Sequence, residues 1–358
     1  MRVDSLTGVR GVAALSVMVY HLPQHSVFAA FRLPLFDRAY LCVDLFFVLS
    51  GFVMAIGYRD LVDARPSTTR YAMFLRHRLA RVFPLHLVVT LAFLLRAMVN
   101  VSGDGTSVSA GDVGANLLMI QSWGLGTTAL AGNSWSVSTE WVAYLLFPLL
   151  AIAVRSPLRW GLAVAAVALL VLVATSGIGV RGSMDVVQRT SVLPVLRCLG
   201  SFILGMLAQR IADRPGVRRL LGGDGAFVVM ITLIALALLV PNSDLIVVLL
   251  LPILILCCYY EGRAVRAILA NRVSLWLGII SYSLYLWHPL LRDSAARIVT
   301  MLHGRGVFQI DAVAYVALII GTIAVCAASY WWIERPGHRL ILRRQRDRAG
   351  SPALGIAA

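Results

Sequence analysis

Apolar runs of about twenty residues recur along the chain, separated by short joints that carry most of its charge. A run of that length, coiled as an α-helix, matches the hydrocarbon thickness of a bilayer. Ten such segments can be drawn, at 6–24, 39–58, 83–101, 135–154, 158–178, 191–209, 223–240, 245–260, 273–291 and 311–333. The stretch 113–130 is also fairly apolar, but glycines and polar residues break it, so it reads as a re-entrant or surface segment. The pattern predicts an all-α, polytopic membrane bundle over residues 1–340 and a basic, disordered tail over 341–358.

Composition agrees. The chain is 59% hydrophobic and 14% charged, against about 25% charged in soluble domains. Its net charge is +15, and every basic residue is Arg. The arginines gather at 59–82, 155–159, 210–219 and 261–272 and in the terminal run RRQRDR. With ten spans and a cytoplasmic N-terminus, all five groups fall on the cytoplasmic side, as the inside-positive bias requires. The opposite joint 102–112 has two Asp and no Arg. This bias accounts for the basic balance with membrane lipids as surroundings and no nucleic-acid partner. Cys42, Cys198, Cys257, Cys258 and Cys326 lie in apolar segments without metal-ligand spacing; they read as packing residues, and no metal is expected. The first segment carries Arg10 well inside and has no clear cleavage site, so it is expected to stay as a helix.

Five motifs place chemistry in this apolar background. In RGVAALSVMVYH, Arg10 and His21 are eleven residues apart. On a helix that is a rise of about 16 Å and a net rotation of about 20°, so they share a face at different depths. In FLRHRLARVFP, Arg78 and Arg81 are three apart on one face, and guanidinium forks suit phosphate oxygens. Arg76 reads as ordinary loop charge. In VDLFFVLSGF, Asp44 lies inside a span and calls for a partner; His21, at matching depth, is the expected one, since a carboxylate fixes an imidazole tautomer. Ser50 and Gly51 suit close helix packing. NSWSVSTEWVAYLLFP places Ser138 and Glu140 at the outer end of a span, and SYSLYLWHPLL places Tyr282, Tyr285 and His288 on one face, also at that end. Cations thus collect at one end of the bundle, and His21, Asp44, Glu140 and His288 at the other. That division suits a long anionic donor whose reactive end is presented at the far side.

With these motifs in this order, from GVRGVAALSVMVYH to YWWIERP, nearly the whole chain resembles the acyltransferase-3 family of bacterial membrane O-acyltransferases. The resemblance implies His21 as catalytic histidine, Arg10, Arg78 and Arg81 as donor-binding arginines, acyl-CoA as co-substrate with no bound cofactor, a ten-span bundle and residence in the bacterial inner membrane. Some members carry an added span and an SGNH-type domain. This chain runs about 25 residues past the tenth span, which implies the form without them. Phe83 and His86 stand where the family commonly has Tyr.

The expected function is an O-acetyltransferase moving acetyl from cytoplasmic acetyl-CoA to a hydroxyl of a glycan or lipid-linked glycan. His21 would be the general base, oriented by Asp44 or Glu140, with Ser138, Tyr282, Tyr285 and His288 toward the acceptor. A transporter or flippase, a non-catalytic partner in polysaccharide assembly, and an acyltransferase for a macrolide-type molecule remain alternatives. The motifs leave oligomeric state and acceptor identity open.

Overall fold

The computed structural model describes residues 3–24, 26–33, 36–58, 67–99, 108–187, 190–305 and 311–349. These form helices α1 (Asp4–His21), α2 (Cys42–Gly57), α3 (Thr68–Met98), α4 (Ala110–Leu117), α5 (Trp135–Arg155), α6 (Arg159–Thr175), α7 (Leu193–Ala212), α8 (Pro215–Leu221), α9 (Asp224–Leu239), α10 (Asp244–Tyr259), α11 (Arg263–Leu269), α12 (Arg272–Gly304), α13 (Asp311–Ser329) and α14 (Arg335–Ala349). A π-helical turn, Tyr330–Glu334, joins α13 to α14. No strand occurs among the described residues.

A helix stands at each of the ten apolar segments, but length and apolar character qualify fewer of them as spans. Six helical stretches are long and apolar enough to cross a membrane: Asp4–Gln24, Ala39–Gly57, Thr68–Met98, Gly132–Arg155, Leu193–Ala212 and Asp311–Leu342. Two bent pairs, α8 with α9 at 68° and α10 with α11 at 99°, raise this to eight if each pair is one span. The shorter α6 is apolar as well.

Two helices outrun their predicted segments. α3 begins at Thr68, where the Ser67 hydroxyl caps the Arg70 amide, so half of the joint read at 59–82 is helical; Arg59 and Arg65 lie outside the described residues. α12 runs 33 residues to Gly304. Its charges at the predicted end are paired, Arg292 with Asp293 at 2.6 Å and Asp293 with Arg96 of α3 at 2.8 Å. The tail expected to be disordered from 341 instead continues α14 to Ala349, anchored where Arg76 donates to the Ile341 carbonyl at 3.0 and 2.5 Å. Residues 350–358 lie outside the description.

The stretch 113–130 is the short α4 followed by irregular backbone. Such backbone is tolerated at membrane depth only where protein satisfies it. Asn116 does so, donating to the Asp112 and Thr128 carbonyls at 2.8 and 2.6 Å and accepting from the Leu130 amide at 3.1 Å.

Small residues set the helix crossings that position the site. A Cβ on Gly278 of α12 would overlap the Thr7 carbonyl of α1, and one on Gly11 would meet the Gly278 amide, so the two backbones touch. α2 and α7 meet likewise at Gly51 and Gly205; such contacts are how membrane helices pack without a hydrophobic drive. Gly278→Val should therefore cost about 1–3 kcal/mol by overpacking, read as a lower unfolding temperature of the purified protein. Wild-type stability in that variant would contradict the backbone contact. An aromatic cluster locks α3 to α5, with Phe74 stacked on Phe147 at 4.9 Å and Tyr58 edge-on to Phe74 at 4.7 Å.

Candidate active site

The α1–α12 pair carries both ends of the site. At one end Arg10 Nη2 donates to the Gly278 carbonyl at 3.0 Å. At the other, the His21 and His288 rings lie 5.0 Å apart. The face shared by Arg10 and His21 is thus turned toward a single partner helix.

Three guanidinium groups converge at the Arg10 end. Arg78 of α3 donates to the Tyr58 hydroxyl at 2.9 Å and lies over that ring, 5.3 Å from its centre. Arg81 Nη1 is 3.7 Å from Glu334 Oε2, and the other Glu334 oxygen accepts from Ser283. Arg10 lies within electrostatic reach of Arg81, Glu334, Glu140 and Tyr144. The Nε atoms of Arg10 and Arg78 are buried and have no hydrogen-bond partner. Buried donors are almost always satisfied. Unused, convergent guanidinium donors are what an anionic ligand would fill.

Glu140 belongs to this end. Its carboxyl is hydrogen-bonded by Ser50 and Tyr144 and lies within electrostatic reach of Arg78 and Arg10. The placement beside His21 is corrected by these contacts: the Glu140 carboxyl meets Ser50 of α2 and Tyr144 of its own helix.

Asp44 is also corrected. It is fully buried against the equally buried Arg197 of α7, at 2.5 to 3.1 Å through Nη2 and Nε, and Ser201 donates to it at 3.1 Å. Both carboxylate oxygens are taken, so Asp44 is not the group that orients His21.

The backbone fixes the His21 tautomer instead. His21 Nδ1 is 2.8 Å from the Val17 carbonyl, which can only accept, so Nδ1 carries the proton and Nε2 keeps its lone pair. His288 repeats the arrangement, with Nδ1 3.0 Å from the Leu284 carbonyl. Its Nε2 is buried and unpartnered.

The other residues expected toward the acceptor are engaged in the fold. Ser138 accepts from the Ser122 amide at 3.1 Å through its hydroxyl and from Trp123 at 3.0 Å through its carbonyl, which ties down the irregular segment. Tyr282 donates to the Val82 carbonyl at 2.9 Å. Tyr285 donates to the Asn133 carbonyl at 3.0 Å and lies 2.8 Å from the Ser136 hydroxyl.

Sequence reasoning did not single out Arg197, Glu334, Arg181 or Arg292. Arg197 had a usable signal, a charge inside an apolar run. Glu334 closes the π-helical turn, a feature that often marks functional sites, but no sequence pattern announces such a turn. Arg181 and Arg292 lie within electrostatic reach of His21.

The site thus has a guanidinium cluster at one end of a helix pair and two imidazoles at the other, within a bundle of membrane-type helices. The chain belongs to the acyltransferase-3 family, whose acyltransferase-domain model matches residues 3–331. The matched region is that family's acyltransferase domain. It is 38% identical over 159 residues to acyltransferase MdmB of Streptomyces mycarofaciens, covering 42% of this chain and 39% of that protein. It is 40% identical over 94 residues to protein 2 in the picA locus of Rhizobium radiobacter, covering 25% of this chain and 42% of that protein. A putative O-acetyltransferase of Staphylococcus aureus (strain COL) is 22% identical over 366 residues, covering 93% of this chain and 57% of that protein. The chain thus spans less than two thirds of each of these relatives. No solved structure matches it.

Proposed function

We infer that the chain is a ten-span O-acetyltransferase of the bacterial plasma membrane, with both termini cytoplasmic, and that it acetylates a hydroxyl of a cell-surface glycan. The observation that carries this reading is the pair of buried, unpartnered guanidinium nitrogens on Arg10 and Arg78, beside Arg81. Acetyl-CoA enters at this end, with its phosphates on the three arginines. The donor arm extends along the α1–α12 pair to His21, a rise of about 16 Å. His21 Nε2 takes the proton of the acceptor hydroxyl, the hydroxyl oxygen bonds to the thioester carbonyl carbon, and the C–S bond breaks. The putative O-acetyltransferase among the relatives supports the acetyl group. An outward His21 in this topology supports an acceptor on the outer side, and we propose a cell-surface glycan for it.

Arg78→Ala and Arg81→Ala test the donor site. A charge-assisted phosphate contact is worth about 1.5–3 kcal/mol, so acetyl-CoA should bind about tenfold weaker or worse in each variant. Lys at either position should restore affinity in part, because an ammonium does not reproduce a forked contact. Arg78→Ala is the cleaner arm, since losing Arg81 also strips Glu334 of its ion pair. Wild-type affinity in both alanine variants, measured by calorimetry on purified protein, would remove the arginines from the donor site.

A further inference from the structure

His288 is the one outward-end residue of the motif SYSLYLWHPLL whose polar side-chain atom is left unbound by the fold. Its ring is fully buried, lies 5.0 Å from His21 and 6.2 Å from Tyr285, and holds its Nδ1 proton on Leu284. An orphaned acceptor there is costly, and both imidazoles present a bare Nε2.

A base at His21 needs somewhere to settle the charge it gains. In the usual arrangement a carboxylate does this. Among the described residues no carboxylate hydrogen-bonds to either imidazole. Asp44 is held by Arg197 and Ser201, Glu140 by Ser50 and Tyr144, and Glu334 by Ser283 beside Arg81. The charged groups that do face His21 are cations. Arg292 of α12 donates to the His21 carbonyl at 3.4 Å, and Arg181, from the segment before α7, reaches it electrostatically. Tyr20 packs edge-on against His21 at 4.7 Å. Arg292 is itself paired with Asp293 at 2.6 Å and Arg181 lies 4.0 Å from Asp185, so these carboxylates serve the arginines and not His21.

We propose that His288 is the positioning partner of His21, and that the two imidazoles hold the reaction's proton jointly. This rests on the acyl-transfer reading above. The proton leaves the acceptor hydroxyl for His21 Nε2 as the new C–O bond forms at the thioester carbonyl. His288 Nε2 accepts a hydrogen bond from that N–H and spreads the charge over both rings. The C–S bond breaks with its electron pair going to sulfur, and the shared proton ends on the thiolate as the free CoA thiol. No group outside donor and acceptor is consumed.

The test uses the full chain in lipid nanodiscs, acetyl-CoA as donor and an envelope glycolipid extract of the source organism as acceptor. His288→Gln can keep the Leu284 contact through its amide while losing the imidazole. It should bind acetyl-CoA like wild type and transfer at least about 100-fold more slowly. Its rate should also keep rising with pH where the wild-type rate has levelled off, because hydroxide then replaces the missing acceptor. A rate within a few-fold of wild type, or a slow variant with the wild-type pH profile, overturns the proposal. If His288→Gln does not accumulate, His288→Asn is assayed in the same way, and a rate within a few-fold of wild type in that variant overturns the proposal. A His21→Ala variant as active as wild type, or a wild type that transfers nothing, would remove the acyl-transfer reading itself. A dead His21→Ala beside a normal His288→Gln removes the pair alone.

Discussion

His21→Ala should abolish acyl transfer while acetyl-CoA still binds. Loss of a positioned general base costs about 10²- to 10⁴-fold, and the guanidinium cluster lies at the other end of the helix pair, where the substitution reaches nothing. The register of α1 gives a sharper form of the experiment. One Ala inserted between Val12 and Val17 turns His21 by about 100° relative to Arg10 and lengthens the helix by only about 1.5 Å. Gly8 and Gly11 precede the insertion, so the crossing with α11 and α12 survives and Arg10 keeps the Gly278 carbonyl. His21 leaves His288, and the buried Val17, Met18 and Tyr20 turn with it, so an unfolding temperature near that of wild type must accompany the assay. The variant should insert in the membrane, bind acetyl-CoA and be inactive. Four alanines turn His21 by about 400°, back near its first face, but displace it by about 6 Å, and they should be inactive too because near-attack geometry tolerates little displacement. Full activity in the folded single-Ala variant would show that the two residues need no common face.

That common face was legible in the sequence because helical period alone relates Arg10 to His21. What the face meets was not, since Gly278 and His288 lie more than 250 residues on. The convergence of Arg78 and Arg81 with Arg10 was also legible, as a matter of charge type and position before an apolar run. Glu140 was misplaced because its position along the segment does not tell its neighbours: Ser50 and Tyr144 reach its carboxyl, and Arg78 and Arg10 lie near it. Tyr282, Tyr285 and Ser138 looked available because spacing shows a face and not its partners. The two tyrosine hydroxyls go to segments far away in the chain, and that of Ser138 holds the Ser122 amide in the preceding irregular segment. For α12 the cause is physical: sequence hydropathy ends a span at its first charges, whereas the paired charges Arg292, Asp293 and Arg96 let the helix continue.

Asp44→Ala should reduce folded protein sharply, and through the fold rather than the chemistry. The substitution leaves the Arg197 guanidinium buried without its counter-ion, and breaking one partner of such a pair costs about 3–5 kcal/mol. Tyr40, whose carbonyl accepts from Arg197 at 3.2 Å, and Trp135, whose ring lies 5.3 Å below the guanidinium, cannot offset that loss. Replacing both partners is a different matter. Taking two charges out of a buried site together is often neutral or stabilising by about 1–4 kcal/mol, so Asp44→Leu with Arg197→Met should recover the unfolding temperature that Asp44→Ala loses. Ser201 can turn its freed hydroxyl to a carbonyl of its own helix. If Asp44 serves only as the counter-ion of Arg197, the recovered double variant transfers acetyl at a rate near wild type. A double variant that is stable yet as inactive as His21→Ala would mean that the charge pair acts on the reaction, and Asp44 would return to the site from which its contacts with Arg197 and Ser201 now withdraw it.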